Sequence, residues 1–305
     1  MDKENAMSRR DALKTMGAAA LSAAWAWTGL ASATSLMTFD GCSGGKKRIV
    51  FYFTATGNSL YVARSLTEMP ISIPQAMKDG NLDFKADEIG FVFPDYAATA
   101  PLIVREFVEK AKFNAPYIFS VITFGNFAAN VAEWWDDFCK SEGVNNNYVN
   151  ILMMVDNYLP VFDMNEQIKI DKNIPENLSK IIADIDNHQN FVSHFDVDDN
   201  LKGMLSHLQA DHFPMEAERL LKLDESLCIA CATCEDVCPH RNFRMKDGKA
   251  NVGGSCEYCL ACVHACPQKA LTLVRGERNP KARFRNENIS LIDIKKSNSM
   301  RNVKF

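Results

Sequence analysis

From Lys47 onward the chain alternates short unbroken apolar runs with longer stretches whose apolar residues recur at helical spacing. Ile49-Val50-Phe51-Tyr52-Phe53 is apolar at every position, as expected for a parallel strand covered on both faces. The same reading predicts strands over 89–93, 117–123 and 149–155. Helical spacing predicts helices over 101–111, 130–141 and 175–191, and another after Ser59 that carries Leu60, Ala63 and Leu66 on one side. Strands alternating with helices of this length predict a doubly wound α/β parallel sheet.

After about residue 218 this rhythm stops, and cysteine takes over as the organising residue. Eight of the ten cysteines fall into two copies of C-x-x-C-x-x-C-x-x-x-C-P, Cys228 to Pro239 and Cys256 to Pro267, spaced 28 residues apart. Three closely spaced thiolates can wrap one cubane, and the fourth Cys of each run is directed to the other cluster. This bacterial ferredoxin spacing predicts two [4Fe–4S] clusters. Cys228, Cys231, Cys234 and Cys266 hold one, and Cys256, Cys259, Cys262 and Cys238 hold the other. Pro239 and Pro267 keep the preceding cysteines extended. A zinc site uses two C-x-x-C pairs and leaves the third Cys and the Pro without a role, and a disulfide framework leaves the repeat to chance.

A composition of 47% hydrophobic and 24% charged residues is ordinary for globular chains, and 305 residues suggest about two domains. A net charge of −4 gives no argument for nucleic acid. Charge is uneven: from Arg275 to Phe305 nine Lys/Arg stand against three Asp/Glu. That tail reads by default as a solvated, partly ordered extension, with docking to an acidic redox partner or an anionic membrane as the functional alternative.

At the other end, Ser8-Arg9-Arg10-Asp11-Ala12-Leu13-Lys14 resembles the twin-arginine export motif, with Ala12 where Phe is common, and an Ala-rich apolar stretch follows. Cleavage after Ala31-Ser32-Ala33, lipidation at Cys42, or an uncleaved anchor are the three outcomes such a segment allows. The twin-arginine route carries folded proteins, which suits clusters inserted before export. The expected location is therefore periplasmic, or membrane-anchored on the outer face of the cytoplasmic membrane.

The loop after the first strand, Thr54-Ala55-Thr56-Gly57-Asn58-Ser59, puts hydroxyls and a Gly at a strand end that opens a helix. Such a loop can surround a phosphate with backbone N–H groups and the positive end of the helix dipole. It lacks the P-loop Lys and the G-x-G-x-x-G fingerprint. It resembles the FMN phosphate loop of flavodoxins. Two further loops, Pro94-Asp95-Tyr96-Ala97 and Thr123-Phe124-Gly125-Asn126, follow strands at the edge where a doubly wound sheet binds ligands. Tyr96 and Phe124 are the candidates for stacking on an isoalloxazine ring.

With both modules in one chain, the sequence resembles the flavodoxin–ferredoxin fusion iron–sulfur proteins of anaerobic bacteria. The 154–160 turn and the segment 283–294 look like that family's Asn-Tyr turn and tail. The resemblance implies a flavodoxin-like sheet of order 2-1-3-4-5 followed by a ferredoxin-like domain. The boundaries are 1–46 for signal and tether, 47–218 for the FMN module, 219–276 for the cluster module and 277–305 for the tail.

The expected activity is electron transfer between FMN, the two clusters and redox protein partners, with no nucleic acid involved. Two other classes stay open: an FMN-dependent reductase of a small substrate such as a quinone, and a redox-sensing or assembly protein without net flux. Among lesser features, Cys139 reads as a half-buried thiol, and His207, His212 and the acidic 196–199 run read as solvated loop residues. His240 and His264 are either exposed loop histidines or donors to cluster sulfur.

Overall fold

The computed structural model describes residues 46–195 and 215–300. The twin-arginine stretch, Cys42, the 196–199 run, His207 and His212 lie outside the described residues. The central sheet contains β1 (Arg48–Tyr52), β2 (Ile71–Ser72), β3 (Glu88–Pro94), β4 (Tyr117–Phe124), β5 (Tyr148–Met153) and β6 (Phe191–Val192). All neighbours are parallel, in the order β2-β1-β3-β4-β5-β6. The sheet is thus one short strand wider than the five expected. The added strand is β6, at the end of the stretch read as the helix 175–191, which stops at Asp186. Neither β2 nor β6, two residues each, carries a periodicity that a sequence could reveal.

Helices α1 (Asn58–Leu66), α2 (Ile73–Asp79), α3 (Leu102–Lys110), α4 (Val131–Ser141) and α5 (Ile174–Asp186) cover the two faces. Successive residues of β1 point to opposite sides, so Phe51 and Phe53 enter one core and Val50 and Tyr52 the other. The first core is closed by Ile73 of α2, Phe107 of α3 and Trp135 of α4. The Trp135 indole donates to Ser120 Oγ at 2.8 Å, and Cys139 is fully buried here rather than half-buried.

The second core does not end at the α/β module. Leu60 and Ala63 of α1 and Ile181 of α5 share it with Val237, Val263 and Leu271 of the cysteine region and with Ile294 near the C-terminus. The cysteine region holds α6 (Thr233–Val237), α7 (Ala261–Ala265) and two antiparallel ribbons, Leu221–Leu223 with Leu271–Leu273 and Phe243–Lys246 with Lys249–Val252. The described residues from Lys46 onward belong to one compact unit. Among the described residues no helix is long and apolar enough to cross a membrane.

The C-terminal segment departs from the solvated extension expected for it. Residues 277–290 form a strap that crosses from the cysteine region to β1, and α8 (Leu291–Asn298) docks beyond it. Arg283 anchors the strap through a buried ion pair with Glu277 at 2.7 Å and a bond from Nε to the Val263 carbonyl at 2.9 Å. Tyr52 Oη and Ser297 Oγ lie 2.7 Å apart, and Asn298 Nδ2 donates to the Thr54 carbonyl at 2.8 Å. Lys295 reaches Asp236 of α6 at 3.3 Å, so α8 touches both modules. Ser297 Oγ and Asn298 Nδ2 bury here on specific partners, which composition alone does not show.

Ser290 and Asp293 form a capping box at the start of α8, and Arg64 of α1 pairs with Asp293 at 2.7 Å. The Arg64 guanidinium, with the Ser290 hydroxyl, holds the Asp293 carboxyl down at about 2. A lowered pKa contributes stability above the group's ordinary value of 3.8, and that contribution is lost as the pH falls through about 2. Asp293→Asn is expected to lower unfolding free energy near neutral pH by about 1 kcal/mol and to flatten the acid limb of the stability profile. Urea unfolding at a series of pH values checks this; an acid limb identical to wild type contradicts it.

Candidate functional site

The three loops singled out from the sequence meet at the carboxyl edge of the sheet around a cavity of about 550 Å³. Thr54, Thr56, Asn58, Ser59, Pro94, Asp95, Tyr96, Ala97, Thr123, Phe124 and Gly125 all line it. Gly57 and Asn126 stand behind the wall instead. Gly57 has φ +105°, and a Cβ there would lie 2.9 Å from Ile289 Cβ of the strap. Asn126 donates to Asp156, itself part of the wall, and accepts from Lys172 Nζ at 3.1 Å.

At one end the cavity has an anion-binding character. Gly57 is the N-cap of α1 and supplies no side-chain cap, and the first N–H groups of a helix lack intrahelical acceptors. The Thr54 hydroxyl accepts the Gly57 N–H at 3.0 Å, which shapes the turn. Ser59 Oγ meets Thr123 Oγ1 at 2.9 Å, joining the first and third loops. The strap holds the loop from behind: Asn286 N–H donates to the Thr56 carbonyl at 2.9 Å.

At the other end the wall is aromatic and carries two buried polar atoms without a partner, Asp95 Oδ1 and Tyr96 Oη. Burial raises the Asp95 carboxyl well above the usual carboxylate range, and the nearby Asp156 charge acts in the same direction. Ala97 and Ala98 both take left-handed backbone at φ 54° and 62°, a strained pair in the loop beside the cavity. Unsatisfied buried groups are costly, so this end suits a planar ligand that brings its own hydrogen-bonding edge.

The turn after β5 is the part of the wall that loop patterns alone did not assign to the site. Val155, Asp156, Asn157 and Tyr158 all line the cavity. Asp156 Oδ2 accepts from the Asn126 N–H at 2.9 Å, and Asn157 Nδ2 donates to Thr56 Oγ1 at 2.7 Å. Arg275 lines the cavity too and donates to Tyr158 Oη at 2.9 Å.

The remaining wall comes from the second cysteine motif: Glu257, Tyr258, Cys259 and Leu260. Cys238, Cys256, Cys259 and Cys262 surround a small cavity beside it, and Cys228, Cys231, Cys234 and Cys266 surround a second one. Cys259 therefore borders both the 550 Å³ cavity and its own thiol group. None of the described cysteines forms a disulfide.

The two motif copies repeat in backbone as well as in sequence. Left-handed residues recur 28 positions apart, at Ala230 and Tyr258, Ala232 and Leu260, Arg241 and Lys269. The Asn242 N–H points to Cys238 Sγ at 3.4 Å, and the Ala270 N–H to Cys266 Sγ at 3.3 Å. Alternating right- and left-handed residues turn N–H groups inward into a nest suited to anionic sulfur.

Neither motif histidine is an exposed loop residue. His264 is buried, and burial lowers its pKa to about 4. His240 lies 3.0 Å from the buried Glu257 carboxylate. Glu257 Oε2 also accepts the Leu102 N–H at 2.9 Å and so caps α3, whose own N-cap, Pro101, has no side chain able to do so.

A family model described as a 4Fe-4S dicluster domain matches residues 220–281. No curated protein matches the chain. Among solved structures, a candidate flavoprotein from Bacteroides uniformis is 18% identical, covers 36% of this chain and 91% of its own, and has a TM-score of 0.27. The Trp repressor binding protein from Bacillus subtilis is 8% identical, covers 49% of this chain and 100% of its own, and has a TM-score of 0.30. The dicluster match and the gathered cysteines assign residues 220–281 to iron–sulfur chemistry and the chain, at a general level, to electron transfer.

A Cβ at Gly125 would lie 2.2 Å from Asp156 Oδ2, so this position tolerates no side chain without displacing the carboxylate that ties two loops together. Gly125→Ala is expected to cost about 1–3 kcal/mol of folding stability. Chemical denaturation measures it, and a loss near zero would show that the loops yield freely.

Proposed function

We propose that the chain is an electron-transfer protein that binds one FMN in the 550 Å³ cavity and two [4Fe–4S] clusters at the two thiol groups. The observation that carries this reading is the shared wall: Cys259 borders both the cavity and the thiol group of Cys238, Cys256 and Cys262. A site for a two-electron carrier next to a one-electron carrier suits exchange between paired and single electrons.

The residues fit the flavin from end to end. Thr54, Thr56 and Ser59 and the start of α1 would hold the phosphate. Asp95 Oδ1 and Tyr96 Oη, unpartnered and buried, would meet the polar edge of the ring, and Phe124 would flank it. Bound FMN supplies exchange of electrons one or two at a time, and each cluster supplies single-electron transfer. The chain's own contribution is position and surroundings: the Tyr258–Leu260 wall would shield the gap from water, and backbone N–H groups directed at sulfur would tune the clusters.

By the same geometry, the group of Cys238, Cys256, Cys259 and Cys262 is proximal to the flavin, and that of Cys228, Cys231, Cys234 and Cys266 is distal. The distal group includes the exposed Cys231 and is flanked by exposed Leu227 and Ile229, where a redox protein partner would exchange electrons. Export in the folded state through Arg9-Arg10, and membrane attachment through Cys42 or an uncleaved signal, belong to the same proposal and rest on the sequence.

Anaerobic reconstitution is expected to give about eight iron and one FMN per chain. Thr56→Lys should abolish flavin binding and leave cluster absorbance intact. Retention of FMN by that variant would place the flavin elsewhere.

A further inference from the structure

His264 lies on α7 between Cys262 and Cys266, and both of its ring nitrogens are committed to other segments. The Phe284 N–H of the strap donates to Nδ1 at 3.0 Å, and the other nitrogen, Nε2, lies 2.9 Å from the Asn157 carbonyl. A backbone N–H can only donate and a carbonyl can only accept, so Nδ1 is bare and Nε2 carries the proton. The ring is thereby a neutral bridge of one defined tautomer, shielded from water.

The bridge continues into the phosphate loop. Asn157 Nδ2 donates to Thr56 Oγ1 at 2.7 Å, and the Thr56 carbonyl accepts from the Asn286 N–H at 2.9 Å, two residues beyond Phe284. His264, Asn157, Thr56, Asn286 and Phe284 form a closed circuit running through the cysteine region, the post-β5 turn, the phosphate loop and the strap. Within it, the bond from Asn157 occupies a lone pair of the Thr56 hydroxyl and leaves its proton free to donate to an anion.

We infer that His264 is a positioning residue for the phosphate loop. Through Asn157 and the strap it aims the Thr56 hydroxyl, and so makes FMN affinity depend on how the second cysteine motif is seated. This rests on the FMN reading above. It goes further by assigning a role in flavin binding to a residue of the cysteine region that does not itself line the flavin cavity.

The test compares FMN with riboflavin, which carries the same ring and no phosphate, on cluster-loaded protein by fluorescence titration with iron counted in parallel. For His264→Ala, FMN binding is expected to weaken about five- to tenfold, the loss of one buried hydrogen bond, while riboflavin binding stays unchanged. His264→Gln, which keeps a donor for the Asn157 carbonyl, should recover most of the affinity.

In the background of Asn157→Ala, which cuts the side-chain path to the Thr56 hydroxyl, His264→Ala should have a clearly smaller further effect, carried by the strap alone. Equal weakening of both flavins would reduce His264 to a general packing role and overturn the inference, as would FMN affinity unchanged in His264→Ala. Should His264→Ala lose its iron, His264→Gln and its cycle with Asn157→Ala carry the same comparison, and additive effects there overturn the inference. Wild-type protein that bound neither flavin would instead remove the FMN site itself.

Discussion

The structure depends most on the backbone of four residues, Glu257 to Leu260, being held in one conformation. They must fold around a thiol group on one side and close a cavity on the other. Left-handed geometry at Tyr258 and Leu260 is costly for residues with side chains, so other contacts must enforce it. Glu257 supplies such contacts. Its buried carboxylate caps α3 and faces His240, so the second cysteine motif is bolted to the α/β module at the point where the two share a wall. Burying a carboxylate is unfavourable unless it is paired; here Oε2 accepts the Leu102 N–H, and Oε1 lies 3.0 Å from His240 Nε2 without an aligned hydrogen bond.

The modules are accordingly not beads on a string. The core that begins under Val50 and Tyr52 runs on to Val237 and Val263, and the strap closes it from outside. A linker would have left the gap between the cavity and the thiol groups to chance. A shared core fixes it, because close-packed interiors do not deform continuously. Rigid placement matters more for electron transfer than for a binding module, since the chain must hold separation and orientation without doing the chemistry itself.

How much of this was legible in the sequence differs from residue to residue. The cysteine repeat carries an expected grouping in its spacing, because ligand spacing in a short motif is a geometric statement; the eight cysteines line two small cavities, four to each. The strands β1, β3 and β4 and the Thr54–Ser59 loop could be read because buried parallel strands leave unbroken apolar runs.

β2 was invisible at two residues, and the strap was misjudged because its basic, polar composition normally signals solvent. Asn286, Ser297 and Asn298 bury only through specific partners far off in sequence, which no local window contains. For the same reason Glu257 and His264 gave no hint of their role. A charged residue or an imidazole between cysteines reads the same whether it faces water or ties two modules together.

The central claim is that one chain sets a flavin beside a cluster through a common wall. Flash photoreduction of the bound flavin under anaerobic conditions, followed by bleaching of the cluster absorbance, tests it most directly. The account predicts a first-order transfer whose rate does not change when the protein is diluted. A rate that falls in proportion to protein concentration would mean that electrons cross between molecules, and would contradict it.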